Sequence, residues 1–123
     1  MSVADRKMLK VAAVAALQGL ARGNDIRTFF LGAVGIRNDG VIVASRNVAS
    51  RDVAFSHHAE ARLSRKLTPN SEVWVARVRK NGEWALARPC ASCQIRLKSV
   101  GITRVTYTIR ENEWGVLVLD KEI

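Results

Sequence analysis

The run Glu72 to Arg79 limits what this chain can fold into more than any other segment. Side chains alternate sides along an extended strand. Here Val73, Val75 and, less cleanly, Arg77 fall on one face, while Trp74, Ala76 and Val78 fall on the other. A strand apolar on both faces has to be covered on both for much of its length, which is the habit of sheets whose crossover helices lie against them. The segment therefore predicts a buried strand inside an α/β arrangement.

The neighbouring segments fit that frame. Asp5 to Ala21 is rich in Ala, Leu, Met and Lys and closes at Gly23-Asn24, so it is expected to be helical. Its apolar residues nearly encircle the middle turns, which predicts a well-covered helix. Phe30 to Ile36 and Val41 to Arg46 are expected to be strands, joined through Asn38-Asp39-Gly40, a strong hairpin signal. His58 to Leu67 is expected to be a second helix, stopped before Thr68-Pro69-Asn70. Lys80-Asn81-Gly82 predicts a turn, and Glu83 to Arg88 returns as a short extended piece. Cys90 to Val100 suits a helix ending at Gly101, followed by strands Thr103 to Ile109 and Trp114 to Leu119. The connection between these last two strands is too short for a parallel crossover, so they must be antiparallel if they are neighbours in one sheet. The expected architecture is an α/β sandwich of three or two layers, with a mixed five-stranded sheet flanked by helices.

No repeat, low-complexity stretch or linker divides the sequence, and one domain over residues 1–123 is expected. No apolar run reaches the length of a membrane span. Val11 to Leu17 follows Lys7 and Lys10 in the manner of a secretion signal, but it is short and Ala-rich, and a core-facing helix is the better reading. The only two cysteines are Cys90 and Cys93, which leaves nothing for a disulfide framework and favours a reducing cytoplasm. The net charge is +9. Residues 57–110 contribute +8 of it, residues 1–56 +4 and the last thirteen −3. That concentration favours a phosphate-bearing substrate or a polynucleotide, although a solvated surface excess would read the same way.

The basic middle segment also holds the chemistry. His58-Ala59-Glu60 and Pro89-Cys90-Ala91-Ser92-Cys93 are separated by 28 residues, and both lie where helices are expected to begin. A catalytic zinc takes three protein ligands of the nitrogen and sulfur type and leaves a fourth position for water. Cys90 and Cys93, at i and i+3 on a first helical turn, point to one side and can share an ion. With His58 they make up the candidate ligand set. Zinc lowers the proton affinity of water, and Glu60 stands close enough in sequence to carry its protons. Taken singly, each element has a plainer meaning: Cys-x-x-Cys also serves redox and structural-zinc sites, and His57 and His58 can be surface residues.

Jointly, His-Ala-Glu and Pro-Cys-x-x-Cys form the signature of zinc-dependent nucleobase deaminases. The chain resembles the cytidine deaminase superfamily over roughly residues 28–110. The resemblance implies hydrolytic conversion of a cytosine to a uracil, with His58, Cys90 and Cys93 holding Zn2+ and Glu60 as the catalytic proton carrier. It further implies that the amide of Ala59 meets the pyrimidine carbonyl, that the carbonyl of Arg88 receives the exocyclic amine, and that Asn47 holds the sugar or positions the substrate. The plainer role for Asn47 is to stabilise a turn. Phe55 can stack on a base or pack internally. Ser64, where relatives usually carry an aliphatic residue, and Arg88, where serine or glutamate is frequent, depart from the pattern. His57 is not required by it.

A short antiparallel ending resembles free-nucleoside deaminases and some toxin-like polynucleotide deaminases, whereas a histidine ligand is unlike most bacterial free-cytidine enzymes. The favoured substrate is cytidine, deoxycytidine or their monophosphates. The alternative is cytosine in single-stranded DNA or RNA, suggested by Trp74, Trp84 and Phe55 among basic residues. A third reading is a non-enzymatic zinc or redox protein. Apolar faces on the short helices permit a homo-oligomer.

Overall fold

In the structure, a computed structural model, residues 3–18, 29–46 and 63–119 are described. Helix α1 spans Val3–Leu17, and strands β1 (Phe29–Ile36) and β2 (Ile42–Arg46) follow. After them come β3 (Glu72–Arg79), β4 (Trp84–Ala85), helix α2 (Ala91–Val100), β5 (Arg104–Arg110) and β6 (Glu113–Val118). Of the expected second helix, the described end is helical at Leu63 and Ser64 and turns at Arg65 and Lys66. The described strands form one mixed sheet of order β2-β1-β3-β5-β6, with β4 paired to β3 off that path. Among the described residues, the short strand β4 is the one addition to the expected five.

The doubly apolar run is the third strand along that path, as its pattern demanded. Its Val73 and Val75 enter a core with Ala33, Leu63, Leu67, Leu97 and Val105, on the side of α2. Trp74, Ala76 and Val78 enter a second core with Leu9, Ala12, Ala16, Phe30 and Val34, on the side of α1. Two cores on opposite faces of one sheet make this a three-layer sandwich, which resolves the choice that periodicity left open.

The hairpins β1–β2 and β3–β4 use one device. Arg37 N–H donates to Val41 O and Gly40 N–H to Arg37 O, each at 2.9 Å. Arg79 N–H donates to Glu83 O at 2.9 Å and Gly82 N–H to Arg79 O at 2.8 Å. Asp39 Oδ1 accepts from Val41 N–H, and Asn81 Oδ1 accepts from Glu83 N–H. The glycine alone takes positive φ in each loop, +86° at Gly40 and +89° at Gly82. These are three-residue loops closing on a glycine bulge rather than two-residue primed turns.

Helix α1 corrects one expectation. It buries Leu9, Ala12, Ala13, Ala15 and Ala16 but leaves Val11 and Val14 43% and 59% exposed. It lies against one sheet face only, so the near-encircling apolar pattern does not signify all-round cover. Its Asp5 helps to fix the helix to the sheet, because Oδ1 accepts from the indole N–H of buried Trp74 at 2.9 Å. No helix among the described residues is long and apolar enough to cross a membrane.

Candidate active site

The second motif is reached through a tethered approach. Strand β4 pairs with β3 at Arg77–Ala85 and Val78–Trp84. Thr108 of β5 donates its hydroxyl to Ala85 O at 2.7 Å and accepts from Arg77 N–H at 3.1 Å. Ala87 N–H then donates to Thr108 O at 2.9 Å. The chain is thus held to the sheet until two residues before buried Pro89. Proline presets the backbone before a helix and needs no partner for an N–H it lacks.

Cys90 is the N-cap of α2, extended at φ −67° and ψ 165°, and its side chain makes no capping hydrogen bond. Its thiol is therefore not used to close the helix. Cys90 is exposed and Cys93 is buried, and they are not joined in a disulfide. The two cysteines stand one turn apart at the N-terminus of α2. Leu97, one further turn along, is fully buried and anchors the same helix face. The pair fits a thiophilic ion such as zinc, which takes deprotonated cysteines in tetrahedral sites.

The other half of the candidate site, His58, Ala59 and Glu60, lies outside the described residues, as do Asn47 and Phe55. Among the described residues, accordingly, no group of three ligating side chains forms. Arg88 is described and exposed, two positions before Cys90. Ser64, the departure from the expected aliphatic residue, is buried, and its hydroxyl accepts from Arg96 Nε at 3.3 Å. A polar contact thus links the end of the second helix to α2, in place of the apolar one expected there.

Two residues named as stacking candidates do not serve. Trp74 and Trp84 are only 4% and 8% exposed and belong to the core under α1. Trp74 faces this core from β3 and Trp84 from β4, so basic neighbours in the sequence do not make an aromatic surface. Sequence reasoning also missed Gln94, whose side-chain amide donates to Pro89 O at 2.8 Å. It missed Ser45 as well, whose hydroxyl is buried without a hydrogen-bond partner among the described residues. No periodicity or motif signals either one.

The last two strands pair antiparallel, from Arg104–Val118 to Arg110–Glu113, with a bulge between Thr108 and Arg110. Strands β3 and β5 are parallel, joined across α2. A layered α/β sandwich with a cysteine pair at the start of its crossover helix is the class that fold and site define together. Solved structures give that fold a name. The chain is similar to cytidine deaminase from Burkholderia pseudomallei, with 19% identity over 97% of this chain and 94% of that one, at a TM-score of 0.69. It is also similar to cytidine deaminase from Mycobacterium leprae, with 22% identity over 96% and 95% of the two chains and a TM-score of 0.60. No protein-family model and no curated protein sequence matches it. The chain has the cytidine deaminase fold.

Proposed function

We propose that this chain is a zinc-dependent hydrolytic deaminase, formed by a single domain over residues 1–123, that converts the cytosine of a nucleoside or nucleotide to uracil and releases ammonia. The observation that carries the reading is Cys90 and Cys93 at the N-terminus of α2, inside a fold shared end to end with cytidine deaminases. His58, Cys90 and Cys93 are the residues that would hold the metal. Zinc held there supplies Lewis acidity, which makes water a nucleophile near neutral pH.

The remaining steps belong to side chains and backbone of this chain. Glu60 takes one proton from the water, whose oxygen bonds to the ring carbon bearing the amine, and delivers it to the ring nitrogen. It then takes the remaining hydroxyl proton as the new carbonyl forms and passes it to the amine as the carbon–nitrogen bond breaks. Water and cytosine become uracil and ammonia, and Glu60 ends as it began. The Arg88 carbonyl receives the exocyclic amine, the Ala59 amide meets the ring carbonyl, and Asn47 holds the sugar, with Phe55 beside the base. The antiparallel β5–β6 ending fits a free-nucleoside type of enzyme and some polynucleotide types alike. The burial of Trp74 and Trp84 takes two of the three aromatic residues out of the argument for a single strand. Two thiols kept for metal binding suit a reducing compartment, the cytoplasm.

The test is incubation of the purified zinc protein with cytidine, deoxycytidine, their monophosphates and a cytosine-containing single strand, followed by mass and ammonia release. Product is expected from a nucleoside or nucleotide, and none from Glu60→Ala or Cys90→Ala. Turnover of the oligonucleotide alone would instead establish a polynucleotide enzyme. Failure of every substrate with zinc bound would refute the assignment.

A further inference from the structure

We propose that Gln94 is a positioning residue that locks the Pro89–Cys90 corner, and so fixes the Cys90 thiol and the Arg88 carbonyl relative to each other. The inference rests on the reading of Cys90 and Cys93 as metal ligands.

Gln94 grips Cys90 from both sides. Its backbone N–H donates to Cys90 O at 2.9 Å, the first α-helical bond of α2. Its side-chain amide reaches back past the cysteine and donates to Pro89 O at 2.8 Å. The second bond is the informative one, because of what lies between Arg88 and Cys90. Peptide planes are rigid, and the proline ring holds φ of residue 89 near its usual value of about −65°. The rotation left between the Arg88 carbonyl and the Cys90 nitrogen is ψ of Pro89. A hydrogen bond on the Pro89 carbonyl oxygen sets that rotation.

The tether from Ala87 N–H to Thr108 O, 2.9 Å long, holds the strand side of the same corner. Arg88 is therefore bracketed by two backbone anchors, one on the sheet and one on the helix. Cys90 itself contributes no side-chain cap. A thiol that does not tie down its own helix end needs another residue to hold the corner if it is to be presented to an ion in one orientation. Gln94 is half-buried, which shields the bond from competing water. Groups that orient metal ligands are commonly worth about 10–100-fold in metal affinity.

The experiment compares zinc affinity of the wild-type protein with that of Gln94→Glu, Gln94→Leu and Gln94→Lys, by competition with a chromophoric chelator. Thiolate-to-cobalt charge-transfer spectra of the cobalt forms provide a second readout. Glutamate matches glutamine in shape but cannot donate when ionised, and leucine cannot donate at all. Both are expected to bind zinc on the order of tenfold more weakly and to shift the cobalt band, with unchanged far-UV circular dichroism. Lysine retains a donor and is expected to recover most of the affinity. Glutamate and leucine variants within twofold of wild type would overturn the proposal. Should a variant fail to fold, hydrogen exchange of the Gln94 side-chain amide in metal-free wild type decides: slowed exchange supports the lock, and free-amide exchange overturns it. A wild-type protein that takes up no zinc would instead overturn the ligand reading itself, and the inference with it.

Discussion

Thr108 shows how one hydroxyl far from the motifs shapes them. It is fully buried, and its oxygen both donates to Ala85 O and accepts from Arg77 N–H. Thr108→Val keeps the shape and removes both hydrogen bonds, one of them to the strand that feeds the cysteines. The expected cost is about 1–3 kcal/mol, measured by urea unfolding of the metal-free protein. Nothing in the sequence separates Thr108 from Thr103 or Thr106, since all three read as β-branched strand residues. Cys90 and Cys93 were legible because their spacing alone places both thiols on one helical turn. Gln94 was not, because its partner is a carbonyl oxygen whose direction depends on a corner that forms only on folding.

At the scale of elements, α1 and β1 approach each other backbone to backbone. A Cβ placed on Gly32 would lie 2.1 Å from Ala12 O and 2.6 Å from Ala16 N, both backbone atoms that cannot swing aside. Gly32→Ala is therefore expected to destabilise the fold by about 3 kcal/mol or more, beyond ordinary overpacking. Val14→Glu, on the exposed side of the same helix, should change stability by no more than about 0.5 kcal/mol. Chemical denaturation of the two variants side by side checks both, and a large loss from Val14→Glu would mean that this face is covered in solution. Helix type was readable from Ala, Leu and Lys content. The face it buries was not, because small alanines satisfy more than one orientation until Gly32 offers its groove. The strands were located to within a residue or so, since alternation and glycine-closed loops are local signals.

At the scale of the molecule, metal and charge make opposite kinds of statement. An ion shared by segments distant in sequence binds the folded chain and not the unfolded one. At a thousandfold excess over Kd it adds about 4 kcal/mol. Stripping it with a chelator should lower Tm by on the order of 10 °C, reversibly on adding zinc, as calorimetry would show. The net charge of +9 concerns partners instead. If the substrate is a free nucleoside, turnover should change little between low and physiological salt. A polynucleotide substrate would show a steep loss of binding with log salt concentration, and titration with a labelled single strand distinguishes the two.

By itself the sequence determined the α/β class, the antiparallel ending and the two motif segments. Each follows from local periodicity, from connection length or from residue spacing along one helix. Tertiary structure alone decided that three layers form, that Trp74 and Trp84 are core rather than surface, that α1 keeps an exposed valine face, and that Gln94 and Thr108 hold the approach to Cys90. The physical reason is common to all of these. Burial and hydrogen-bond partnership depend on which surface arrives from elsewhere in the chain, and pattern along the chain records only that a surface must arrive.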